Sequence, residues 1–176
     1  MRTGTTPTIV TRAVPTGQIA EAADLPPLLE RIYLSRGLTH AQELDRNLSA
    51  LDHPESLPDV DKAAARLAAA VMGGEHILIV GDFDADGATS VALAVSLLEA
   101  MGAERVSFLV PNRFEFGYGL SPEIVELALA ENPQVIVTVD NGTSSIEGVE
   151  RANAAAVDVI VTDHHLPGKS LPETFA

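Results

Sequence analysis

From residue 76 onward, short apolar, β-branched runs alternate with longer stretches whose apolar positions recur at helical spacing. HILIV (76–80) is followed by TSVALAVSLLEAMG (89–102), VSFLV (106–110) by SPEIVELALAEN (121–132), and QVIVTV (134–139) by SSIEGVERANAA (144–155); DVIVT (158–162) closes the series. Near-continuous apolar runs suit strands covered on both faces, and strand, helix, strand repeated this way implies crossovers into a parallel sheet. The predicted fold is α/β, a mainly parallel doubly wound sheet preceded by a short helical segment.

Ahead of this series the pattern differs. Residues 1 to about 20 are rich in Thr and Pro without a period and read as a loose lead-in. PPLLERIYLSRG predicts a helix opened by Pro26 and Pro27 and closed by Gly37. Thr39 to Gln42 has capping-box spacing for a second helix, THAQELDRNL, and DVDKAAARLAAAVMGG predicts a third, stopped by Gly73 and Gly74. The expected division is a lead-in over 1–75, largely helical from about residue 25, and an α/β domain over 76–176.

In such sheets a ligand lies outside the carboxyl ends of the strands. The polar chemistry of this chain collects there: GDFDADG after the first strand, PNRFEFGYG after the second, DNG after the third and DHH after the fourth. Asp82, Asp84 and Asp86 stand at every second position, so an extended segment would turn all three to one side. Carboxylates this close raise one another's pKa unless a cation sits among them, and a divalent metal is the natural candidate. Gly87 is expected to permit a tight exit into the next helix, whose N-terminal dipole favours anions.

The alternatives are an Asp-Gly turn with solvated acids, a calcium loop and an aspartyl-phosphate site. The calcium loop fits for six positions and then has Leu93 where a bidentate Glu belongs. An aspartyl-phosphate pattern fails whether counted from Asp82 or Asp84. Asp140 reads equally as a metal ligand or as a strand-end acid capping its turn. Asp163, His164 and His165 add an acid and two imidazoles at another strand end. Carboxylates with imidazole suit Mn²⁺ or Mg²⁺ better than zinc.

Composition narrows the setting. With 176 residues, 46% hydrophobic and 20% charged, the chain is globular, and with five Phe, two Tyr and no Trp its core rests on aliphatic side chains. The absence of cysteine excludes disulfides and thiolate metal sites and is compatible with a reducing cytoplasm. No run approaches the roughly 18 apolar residues that span a bilayer, so a soluble cytoplasmic protein with no membrane partner is expected. A net charge of −14, from 25 acidic and 11 basic residues, repels nucleic acid at long range. Arg113 and Lys169 are the cations of the strand-end loops. Phe114, Phe116 and Tyr118 accompany Arg113, either stacking bases or packing their loop onto the sheet.

GDFDADGATS, PNRFEFGYGLS, VTVDNG and VTDHHLPG, in that order, resemble the DHH phosphoesterases, and PNRFEFGYGLS points to their branch of 5′–3′ exonucleases specific for single-stranded DNA. The resemblance implies a two-metal phosphodiesterase acting in DNA repair and recombination, with two Mn²⁺ or Mg²⁺ ions. Asp84, Asp86, Asp140 and His164 would be ligands and Asp140 the bridge; Asp82 stands where some relatives carry a ligating His. His165 would touch the phosphate or assist the leaving group, with Asp163 supporting it. Arg113 and Tyr118 would meet single-stranded DNA, and single-strand-binding protein or a helicase would be partners. The family carries a further aspartate and a second domain downstream, so the chain reads as the front part of a longer enzyme, with little processive activity alone. Relatives that hydrolyse oligoribonucleotides, cyclic dinucleotides or pyrophosphate, and a non-catalytic module of the same fold, are the competing readings.

Overall fold

The computed structural model describes Val10, Ala13, residues 15–21 and residues 25–176. The expected lead-in over residues 1 to about 20 lies largely outside the described residues. The chain forms two compact units, Met1–Asp52 and His53–Ala176.

In the first unit, α1 (Pro27–Leu34) starts on the proline pair as predicted. THAQELDRNL does not form the expected second helix; it makes 3₁₀ turns at Ala41–Leu44 and Leu48–Ala50. The reason is local competition for backbone donors. The capping box forms one residue later than its predicted position, between His40 and Glu43. Glu43 Oε1 accepts the Thr39 and His40 N–H groups at 2.8 and 2.9 Å. Asp45, itself extended, then accepts the Asn47 N–H at 2.9 Å, an arrangement that ends a helix rather than continuing it.

The second unit is the predicted sheet. Its elements are α2 (Val60–Gly73), β1 (Ile77–Gly81), α3 (Ala85–Ala100), β2 (Val106–Leu109), α4 (Arg113–Phe116), α5 (Pro122–Leu129), β3 (Val135–Val139), α6 (Ile146–Ala154) and β4 (Asp158–Thr162). All strand pairs are parallel, in the order β2-β1-β3-β4. β1 and β3 are buried throughout, which explains why they carry no polar alternation.

Alternate residues of each strand feed opposite cores. Leu78, Val80, Ile136 and Val159 pack with Leu120, Ile124, Val125, Val149 and Ala152 of the α5 and α6 side. Ile77, Ile79, Val135, Val137 and Ile160 pack with Ala70 of α2 and Val91 and Leu98 of α3 on the other. α2 is therefore part of the sheet's cover. Arg66 secures it, its guanidinium pairing with Glu75 at 2.7 Å and with Asp158 at the start of β4. Beyond β4, Phe175 donates its N–H to Val159 O at 2.8 Å and Ala176 O accepts from Val161 N, so the last residues run along that strand.

This order places the reversal of winding between β1 and β3, where a doubly wound sheet opens a crevice at its carboxyl edge. Asp82 and Asp140 follow those two strands. PNRFEFGYG is not wholly loop: Asn112 caps the single turn α4 by accepting the Phe114 N–H at 3.1 Å.

The α5 and α6 pair depends on Gly148, where a Cβ would collide with the Leu120 carbonyl. Gly148→Ala is expected to lower unfolding free energy by about 3 kcal/mol, since overpacking costs 1–3 and backbone yields less than a side chain. Gly73→Ala meets only Glu75 side-chain atoms at 3.7 and 3.8 Å and is expected to be neutral or to stabilise by up to about 1 kcal/mol. Urea unfolding of both variants checks the contrast.

Candidate metal centre

β1 ends at Gly81 and α3 already begins at Ala85, so GDFDADG is not the extended segment its spacing suggested. Asp82 follows the strand, Asp84 is the N-cap of α3 with its Oδ1 accepting the Gly87 N–H at 3.4 Å, and Asp86 lies in the first turn. The three carboxylates therefore reach the rim by three different geometries. Gly87 lies inside α3 rather than at an exit turn. A Cβ there would collide with the Asp82 backbone, so the missing side chain lets the helix start close against the strand end.

Asp140 has φ of 62°, the left-handed conformation that non-glycine residues seldom adopt. Its N–H turns to Thr162 O on β4 at 3.0 Å. Its carboxylate lies within 4.8 Å of donor atoms of Asp82 and Asp84 in one group and of His164 and His165 in another. Gly142 completes the turn with φ of 120° and no room for a Cβ, which would lie 2.5 Å from Thr138 Oγ1 and 2.9 Å from Val161 Cγ1.

After β4, the Asp163 carboxylate accepts the Thr143 N–H at 2.9 Å and the His165 N–H at 3.1 Å, and contacts His165 Nδ1 at 2.7 Å. Burial pushes its carboxyl up, but these hydrogen bonds outweigh burial and hold it down at about 2. The same contact with Asp163 raises the His165 imidazole above its ordinary value. His164 Nε2 lies 2.9 Å from Asp140 Oδ1 and 3.9 Å from Asp86 Oδ2. Tyr118 donates its hydroxyl to Asp140 O at 3.2 Å while the oxygen lies 2.9 Å from His165 Nδ1. Burial, then the surrounding carboxylates, push the phenol up to about 12.

Arg113 brings a guanidinium to these carboxylates. Its guanidinium lies 2.7 Å from Asp82 Oδ2 and 3.5 Å from Asp84 Oδ2, and the bond to Asp82 raises its pKa further. Phe114 is 88% exposed, whereas Phe116 packs against the α5 and α6 core, so the two rings do not share one role.

All nine predicted site residues come to the carboxyl edge of one sheet. Two groups of donor atoms lie within 4.8 Å of one another: Asp82, Asp84 and Asp140, and Asp140, His164 and His165. Asp140 belongs to both. Asp86 is in neither group but lies 3.9 Å from His164, and the Asp163 carboxylate contacts His165. The donor set is oxygen-rich with two imidazoles and no thiolate, and Asp82 and Asp140 are buried like charges, so it fits two adjacent hard or borderline divalent ions. The sequence reading passed over Asn141 and Thr143, whose contacts come only with the folded turn; their place in and beside DNG was the one available signal.

The model of the DHH family, N-terminal domain, matches residues 76–176. The single-stranded-DNA-specific exonuclease RecJ of Escherichia coli is 55% identical over 154 residues, covering 88% of this chain and 27% of that protein. RecJ of Salmonella typhimurium is 54% identical with the same shares, and that of Thermus thermophilus is 37% identical over 88% of this chain and 22% of the relative. The chain thus spans about a quarter of the length of these relatives. Among solved structures, an exonuclease RecJ bound to manganese superposes with a TM-score of 0.63 at 39% identity, covering 68% of this chain and 30% of that one. RecJ of Thermus thermophilus in complex with Mn²⁺ gives 0.61 at 34% identity, covering 81% of this chain and 20% of that one. With the DHH triplet at 163–165 and the donor groups of three strand ends meeting at Asp140, the chain belongs to the DHH family and resembles the N-terminal part of RecJ.

Proposed function

We propose that this chain carries the metal centre of a RecJ-like phosphodiesterase that removes nucleotides from single-stranded DNA in the 5′ to 3′ direction, in DNA repair and recombination. The observation that supports it most directly is the position of Asp140, shared by two donor groups at the sheet's crevice. In this reading residues 76–176 are the catalytic domain, and single-strand-binding protein or a helicase is a partner of the whole protein.

Asp82, Asp84, Asp86, Asp140 and His164 would hold two Mn²⁺ or Mg²⁺ ions, Asp140 being common to both donor groups. Such ions supply an activated water and stabilise the attacking and leaving oxygens of an in-line displacement. The chain's own residues do the rest. Asp163 accepts from the Thr143 N–H and holds His165 in place, and the raised His165 imidazole is suited to donate a proton to the phosphate or leaving oxygen. Arg113, already paired with Asp82 and Asp84, would be near a phosphate bound through cations at those carboxylates. Tyr118 is bonded to Asp140 and His165, which favours holding these two groups over stacking a base.

Three outcomes test this. Mn²⁺ is expected to raise the melting temperature more than Ca²⁺ at equal concentration, because a site with imidazoles suits the smaller, softer ion; an equal or larger shift with Ca²⁺ contradicts it. On a 5′-labelled single strand, slow Mn²⁺-dependent release from the 5′ end is expected, slow because the net charge is −14 and Arg113 and Lys169 are the cations of the rim loops. Asp140→Ala should reduce that release by about 100-fold or more; cleavage that survives the substitution assigns the activity elsewhere. Asp163→Asn keeps an acceptor oxygen but removes the carboxylate charge that raises His165, so its ring should titrate at lower pH than in the unaltered chain. Imidazole chemical shifts followed against pH give the answer, and an unmoved midpoint removes Asp163 from its supporting role.

A further inference from the structure

Within the DNG turn, Asp140 belongs to the donor groups and Gly142 to the packing, while Asn141 is explained by neither. Its side chain is buried, the residue being 1% exposed. Asn141 Nδ2 donates to Val80 O and to Val139 O, each at 3.0 Å. These carbonyls belong to β1 and β3, neighbouring strands whose ladder ends with Gly81 opposite Val139. Val80 stands two residues before Asp82, and Val139 directly before Asp140. Both hydrogens of one planar NH₂ group are thus committed to the two strand ends that carry the buried carboxylates.

The restraint opposes a specific force. Where the β1 and β3 ladder stops, the Asp140 N–H has turned to β4, and Asp82 and Asp140 bring like charges to either side of the crevice. Nothing in the ladder holds the strand ends together beyond that point, whereas the amide spans them. Oδ1 of the same amide has no partner among the described residues, so the contacts that seat it are those of its two donors. An aspartate at this position would present oxygens to two carbonyls, and a leucine would fill the space with no donor at all.

We propose that Asn141 is a positioning residue, an amide clamp between β1 and β3 that sets the separation of Asp82 from Asp140 and thereby the metal affinity of the centre. The clamp is read directly from the hydrogen bonds; its effect on metal rests on the metal-centre reading above.

The test compares the unaltered chain with Asn141→Leu, with Asn141→Ser, which keeps one donor, and with Val159→Ala, a core truncation at a fully buried position. Hydrogen exchange without metal and Mn²⁺ titration calorimetry are measured on each, beside global stability from urea unfolding. Asn141→Leu is expected to speed exchange at Val80 to Asp82 and at Val139 and Asp140 by at least about tenfold relative to mid-strand amides. It should weaken Mn²⁺ binding about 10- to 100-fold, the range seen when groups that orient metal ligands are removed. Asn141→Ser should fall between, and Val159→Ala should lose stability while keeping Mn²⁺ affinity within about twofold. Native affinity in Asn141→Leu, or an equal loss in Val159→Ala, overturns the proposal. If the leucine variant does not fold, the serine variant decides by the same criteria. An unaltered chain that binds no Mn²⁺ overturns the metal-centre reading alone, and local exchange then decides the clamp.

Discussion

Buried negative charge at the crevice between β1 and β3 is the constraint on which the rest of this structure turns. Asp82 and Asp140 are each less than a tenth exposed and lie near each other with Asp84. Such an arrangement is costly without compensation. Three features nearby compensate it: the guanidinium of Arg113, the N-terminus of α3 at Asp84 and Asp86, and the imidazole of His164. A site that concentrates charge in this way is suited to cations and, through them, to phosphate.

The sheet supplies the rigidity that makes the arrangement possible. Its two inner strands are covered on both faces, so the two cores hold them in place up to the rim. Close backbone approaches at Gly87 and Gly148 bring α3 against β1 and α6 against the chain entering α5. Strand ends held this firmly allow a residue such as Asp140 to adopt a left-handed backbone, a local cost that the surrounding hydrogen bonds sustain.

Much of this was legible in the chain. Apolar runs at 76–80, 106–110, 134–139 and 158–162 located all four strands to within a residue or two, because burial on both faces leaves a compositional mark. Prolines at 26 and 27 and glycines at 73 and 74 marked helix ends for reasons confined to the backbone. THAQELDRNL misled because one carboxylate, Glu43, can cap at either of two neighbouring residues, and Asp45 then diverts the chain. α3 misled by starting four residues early, since a helix nucleated by an Asp84 cap and held by packing can absorb residues that look like turn.

The sequence by itself determined the parallel sheet, the sites of the acidic and imidazole groups at strand ends, and the family to which those motifs belong. Each follows from local rules: burial period, capping and the fact that strand ends share an edge. Tertiary structure alone decided which carboxylates meet which imidazoles, that Asp140 stands in both groups, and that Asp86 lies near His164. It also decided that Tyr118 binds His165 and that Asn141 joins β1 to β3. Contacts such as Asp140 with His164 and Asp86 with His164 link residues 24 and 78 positions apart, and their distances depend on strand order and backbone angle, quantities that residue identities do not carry.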